Sequence, residues 1–225
     1  MKNLRDPGDS PRKVPTHEIA YWRLRDMILF GQIPPGRPVT IQGLTATLDA
    51  GMTPVREAIR KLTAEGALEP QGNRRVSVPQ LTPAQIDELA FARMAIEPKL
   101  ASMASQRLET KDIAELAKID AEIDRAITDG DVPRYMLNNY RFHFALYEHA
   151  KAPILLSIAH SLWLRFGPSL RVVCGRYGTS NLPDRHGEAL AALRAGDPEA
   201  VARAVENDIA QGVDQIRLSL DTVEI

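Results

Sequence analysis

The chain has 225 residues, of which 44% are hydrophobic and 25% charged, with a formal net charge of −1. That supports ordinary packed cores, while nothing resembles a signal peptide or a spanning apolar segment and the single Cys174 rules out an internal disulfide, so a soluble cytoplasmic protein is expected. Charge divides unevenly: residues 1–80 carry 12 Lys and Arg against 8 Asp and Glu, and residues 81–225 carry 16 against 21. A basic first domain over residues 14–80 and an acidic second domain over 81–225 are therefore expected, after a flexible tail at 1–13.

The first helix is predicted from about Thr16 to Phe30, with Ile19, Trp22, Ile28 and Leu29 as apolar positions, and Pro34-Pro35-Gly36 breaks the chain after it. Thr40 opens a short second helix with Ile41, Leu44 and Leu48 at helical spacing, and Asp49-Ala50-Gly51 makes a tight turn. A third helix follows, capped by Thr53 and started by Pro54, whose φ is already helical and which wastes no amide hydrogen. Val55, Ile59 and Leu62 form its apolar stripe, with Arg56, Arg60 and Lys61 off it, and Gly66 ends it. Two helices joined by a short Gly-containing turn make a helix-turn-helix. Next, 67–70 and 76–79 read as two short strands around Gln71-Gly72-Asn73-Arg74-Arg75, a hairpin with a basic tip, or wing.

From Thr82 onward the pattern is helical throughout. Thr82-Pro83, Thr110, Val132-Pro133, Pro153, Pro183 or nearby, and Asp197-Pro198 open six helices with short connections, which implies an antiparallel bundle. The expected fold is mostly α: an N-terminal winged helix-turn-helix with a small β-hairpin, then an all-α bundle.

Thr53-Pro54-Val55-Arg56-Glu57-Ala58-Ile59-Arg60-Lys61-Leu62, followed by Ala64-Glu65-Gly66 and the basic hairpin, resembles the winged helix-turn-helix of GntR-family bacterial transcription regulators. The bundle resembles the ligand-binding domain of the FadR subfamily through Arg93-Met94-Ala95-Ile96-Glu97-Pro98, Asn139-Tyr140-Arg141-Phe142-His143 and His186-Gly187-Glu188-Ala189-Leu190. The resemblance implies a homodimer on a palindromic double-stranded operator, contacted by Gln42, Met52, Thr53, Arg56, Lys61, Asn73 and Arg74, with a small organic-acid effector in the bundle. Many relatives have arginine where this chain has Gln42 and Met52, so its operator should differ: an arginine fork reads a guanine edge, whereas methionine offers only apolar contact.

In metal-binding members an Asp and three His hold a divalent cation, and the corresponding positions are Asn139, His143, His186 and Asp208. Asn139 and His143 stand one helical turn apart on the same face. Two imidazoles, a carboxylate and an amide oxygen suit zinc, nickel, manganese or iron, and replacing an imidazole by oxygen favours harder ions. The alternative is a metal-free polar cavity with both histidines hydrogen-bonded. Arg93 is the candidate for an anionic effector, against an internal pair with Glu97 one turn on. Arg165 and Trp163 are weaker pocket candidates, while His17, His149 and His160 read as structural. Two rival functions stay open here: a metal-dependent enzyme with a two-His, one-carboxylate site, and a metal-only sensor.

Overall fold

A computed structural model describes residues 16–177 and 182–221. Helix α1 (Thr16–Leu29) leads to strand β1 (Val39–Thr40), helices α2 (Ile41–Leu48) and α3 (Met52–Ala64), and strands β2 (Glu69–Pro70) and β3 (Arg75–Ser77). Helices α4 (Pro83–Ser105), α5 (Thr110–Asp129), α6 (Val132–Tyr147), α7 (Pro153–Tyr177), α8 (Arg185–Ala195) and α9 (Pro198–Asp221) follow, with a 3-10 turn at Glu148–Ala150. The expected winged helix-turn-helix followed by a helical bundle is the fold observed. The expected tail at 1–13 lies outside the described residues.

In the first part, α1 packs on α3, and the stripe Val55, Ile59 and Leu62 is buried as expected. Thr40 caps α2, its hydroxyl accepting from the Gly43 amide at 2.9 Å, and Asp49 closes it in the left-handed region. Three details differ from expectation. The third helix begins one residue before Thr53, at Met52, with Gly51 as a cap that supplies no side-chain bond. In α1 the core face is Ala20, Tyr21, Leu24, Ile28 and Leu29, whereas Ile19 and Trp22 are 39% and 54% exposed. A helix with apolar groups on both sides leaves to its packing partner which side is buried. Finally, the sheet has three antiparallel strands in the order β1-β3-β2, because Val39 pairs with Val76 and Thr40 with Arg75. Two residues are too few to show strand alternation, so sequence periodicity could not reveal β1.

Side chains set most bundle starts: the hydroxyl of Thr82 accepts from the Gln85 amide, Asp131 accepts from Arg134, Asp184 from Gly187, and Asp197 from Glu199 and Ala200. Helix α4 packs along α9, α8 on α9 and α5 on α6, while α7 touches α4, α6 and α9 on one side and α1 on the other. Among the described residues no helix is long and apolar enough to cross a membrane.

Candidate functional sites: a recognition helix and a buried polar cluster

Met52 and Arg56 lie one turn apart on the exposed side of α3, Thr53 beside them, and Gln42 is exposed on α2. Arg60 is also exposed but bonds Glu57 at 2.7 Å, so part of its charge is used within the helix. Lys61 stands apart from this face: its ammonium sits 3.8 Å from the centre of the Tyr21 ring on α1. In the wing, the exposed Asn73 and Arg74 both have positive φ, 46° and 57°, after Gly72 at 69°. This turn is closed by Gln71 and Arg75, the Gln71 amide donating to the Arg75 carbonyl and the Arg75 amide to the Gly72 carbonyl. The Ile41 amide donates to the Arg74 carbonyl at 3.1 Å, tying the wing tip to the start of the helix-turn-helix.

The second site is inside the bundle. His143 from α6, His186 from α8 and Asp208 from α9 place ligand atoms within 4.8 Å of one another. His143 Nε2 is 3.1 Å from Asp208 Oδ2 and 3.3 Å from His186 Nε2, which in turn is 3.9 Å from Asp208 Oδ1. Each ring is held from behind. His143 Nδ1 meets the Tyr147 hydroxyl at 3.1 Å, and His186 Nδ1 faces Asp120 Oδ1 at 3.5 Å. Tyr147 gives its only hydroxyl proton to Glu97 at 2.9 Å, so the proton between it and His143 belongs to Nδ1. Neutral His143 therefore presents a bare Nε2 lone pair to a carboxylate.

Two acceptors at 3.1 Å need a proton or cation shared between them, and the charges around the cluster show that demand. Burial pushes the His143 pKa down. For Asp208 burial works against ionisation, but His143, His186 and Arg93 outweigh it and hold the pKa at about 2. Burial also opposes charge on His186, yet Asp120, Asp208 and Asp184 together raise its pKa. The cluster is thus an electron-rich concavity that favours a shared cation. Asn139 adds to it: its Oδ1 is buried without a hydrogen-bond partner and the residue lines the same cavity as Asp208.

The donor set fits a divalent ion. Two nitrogens on one ion, with bonds of about 2.0–2.1 Å at a tetrahedral angle, stand roughly 3.4 Å apart, close to the separation of the two Nε2 atoms. Both imidazoles are oriented by their other nitrogen, as metal-binding histidines are.

Arg93 realises the internal pair. Its Nε and one Nη donate to the two Glu97 oxygens at 2.6 and 3.2 Å, between the rings of Trp163 and Phe166. Two of its three guanidinium nitrogens are thereby used, although Arg93 still lines the cavity. Arg165 does not reach the cavity: it binds the Glu65 carbonyl, at the end of α3. Its side chain points to the opposite side of α7 from Trp163 and Phe166, a choice the sequence alone does not express. Trp163, by contrast, does line the cavity and donates from Nε1 to Glu97 at 2.9 Å. Tyr147 and Asp120 were missed as supports. Tyr147 is one turn beyond His143 on the same face and could have been found by spacing, whereas Asp120 comes from α5 and has no local signal. His160 is stacked on Phe144 at 4.0 Å, with its pKa pushed to about 4, first by burial.

Fold and site define a winged helix-turn-helix protein with a helical second part holding a buried polar cluster. Residues 16–78 match the gntR family of bacterial regulatory proteins, and residues 88–211, more than half of the chain, match the FCD domain. The chain belongs to the GntR family of transcription regulators with an FCD domain. It is 28% identical over 193 residues to the HTH-type transcriptional regulator McbR of Escherichia coli, covering 84% of this chain and 87% of that one. It is 27% identical over 207 residues to a probable D-xylose utilization operon transcriptional repressor of Paenarthrobacter nicotinovorans, covering 90% and 91%. The solved structure of E. coli McbR/YncC superposes with a TM-score of 0.86 at 26% identity, over 92% of this chain and 99% of that one. These relatives are regulators, and this chain is a transcription regulator, not an enzyme.

Proposed function

We propose that the chain is a cytoplasmic repressor that binds a palindromic operator as a homodimer and changes its DNA affinity when a small organic acid enters the bundle cavity, with a divalent metal held there. The supporting observation is the convergence of His143, His186 and Asp208, beside the partnerless oxygen of Asn139, in a protein with an exposed recognition helix. Repression is favoured by relatives named as repressors, among them RspR of E. coli, 25% identical over 210 residues. Domain limits of 14–80 and 81–225 accompany this reading. His143, His186, Asp208 and Asn139 would hold zinc, nickel, manganese or iron, and the bound ion would supply positive charge for an effector carboxylate. Arg93, fixed by Glu97, would present its remaining edge to the same acid.

On DNA, Gln42, Met52, Thr53 and Arg56 would face base edges, with Lys61, Asn73 and Arg74 nearer the phosphates. Selection from random duplexes gives the operator, and titration of zinc and a panel of hydroxy, keto and dicarboxylic acids against its affinity tests the control. A response to zinc with no response to any acid favours the metal-only sensor. Arg56→Ala is expected to weaken operator binding about 10- to 100-fold, by anisotropy, with the thermal midpoint unchanged, because the side chain is exposed. Unchanged affinity removes Arg56 from the interface. Met52→Arg should move base preference toward guanine at one position per half-site, and a repeated selection returning the same operator contradicts this. Asn139→Asp should tighten zinc binding by replacing a neutral oxygen with a charged one, and weaker binding by calorimetry takes Asn139 out of the ligand set.

A further inference from the structure

Helix α7 lies between the cavity and the DNA-binding part, and its two faces do different things. On one face Trp163, Phe166, Leu170, Val173 and Cys174 line the cavity, at spacings of three and four residues. Trp163 and Phe166 also flank Arg93, with its guanidinium carbon 4.6 and 4.3 Å from their ring centres. On the other face Arg165 donates from Nε at 3.1 Å and from Nη2 at 2.8 Å to the Glu65 carbonyl, immediately after the recognition helix. The Glu65 carboxylate in turn accepts from the Tyr21 hydroxyl at 3.0 Å, joining α1 to the same point.

The contacts between α7 and the DNA-binding part have no slack. A Cβ at Gly66 would stand 2.9 Å from Arg165 Nη2, one at Gly167 would strike the Leu29 carbonyl oxygen, and one at Gly31 would strike the Arg171 side chain. Three glycines therefore let α7 approach the backbone of the DNA-binding part. Pro168 within α7 cannot bond the carbonyl of Leu164, the residue before Arg165, so the helix is softest beside the Arg165 contact. The cavity's free space is about 30 Å³, room for an ion and a water or two. A larger guest on the α7 side has to displace a wall, while a second cavity of about 180 Å³, lined by His186 and sharing Tyr135, Asp208 and Gln211, adjoins it away from α7.

We propose that α7 is the transmission element of this regulator: its cavity face senses occupancy and Arg165, on its opposite face, passes the displacement to the Glu65 carbonyl at the end of the recognition helix. This rests on the cavity being the effector site. Its test needs no effector. Gly212 on α9 lines the cavity, and a Cβ there would make ordinary contact with Phe166 Cζ at 3.7 Å and Leu170 Cδ1 at 3.9 Å. A longer side chain would press on α7 as a guest would, so Gly212→Leu serves as a built-in occupant in the full-length protein, with Gly212→Met as the substitute should it fail to fold.

Hydrogen exchange by mass spectrometry would follow the 65–68 amides in wild type, Gly212→Leu, Arg165→Ala and the double variant. Arg165→Ala should speed their exchange roughly three- to tenfold, as for loss of side-chain bonds to one carbonyl. Gly212→Leu should change it by at least about twofold, and in the Arg165→Ala background it should add nothing. Unchanged 65–68 amides in Gly212→Leu, or a full effect persisting without Arg165, overturn the proposal. Ligand binding is read separately by titrating zinc and the acid panel into wild type, so the relay and the effector site can fail independently.

Discussion

Glu97→Ala is expected to destabilise the protein by about 3–5 kcal/mol, more than any other single side-chain truncation considered. Glu97 is fully buried and accepts two bonds from Arg93, one from Tyr147 and one from Trp163. Truncation leaves a guanidinium that is only 2% exposed without its carboxylate, and strands a hydroxyl and an indole N–H as well. Urea unfolding followed by helical circular dichroism measures the loss. A change below about 1 kcal/mol would mean the pair contributes no more than a surface ion pair. Arg93→Met combined with Glu97→Gln should recover part of the loss, since it removes the buried charge but keeps an acceptor for Tyr147 and Trp163.

The second large effect concerns the cluster. His143→Ala should weaken zinc binding by more than about 100-fold, while Asp120→Asn, which acts only by orienting His186, should weaken it by about 10- to 100-fold. Calorimetry on the folded full-length variants gives both numbers. Equal effects would make Asp120 a direct ligand, and wild-type affinity in His143→Ala would place the ion elsewhere. Should wild type retain none of zinc, nickel, manganese or iron under reducing conditions, the histidines serve as hydrogen-bonding groups of a metal-free pocket. His143 would then keep its Tyr147 bond, and a proton on His186 would take the place of the ion between the rings.

What was legible in the sequence was local. Thr40 and the Asp49-Ala50-Gly51 turn fix α2, the Val55, Ile59, Leu62 stripe fixes the buried side of α3, and caps and prolines mark the bundle helices. Each of these acts over a turn or two, through a side-chain oxygen on a nearby amide, a preset φ, or the 3.6-residue period. Asn139 and His143 were visible as a pair for the same reason, and the family resemblance supplied His186 and Asp208. Three things were decided by tertiary structure. Ile19 and Trp22 are exposed because α3 packs against the other side of α1, and β1 exists only because Val76 is there to pair with Val39. Arg93 meets Glu97 on its own helix α4 because Trp163 and Phe166 of α7 enclose its guanidinium, and Arg165 meets the Glu65 carbonyl rather than the cavity because α7 turns Trp163 inward and Arg165 outward. No residue announces that rotation, since it is settled by how six helices fill one core, and a bond such as that between His186 and Asp120 spans elements that the chain's local order never brings together.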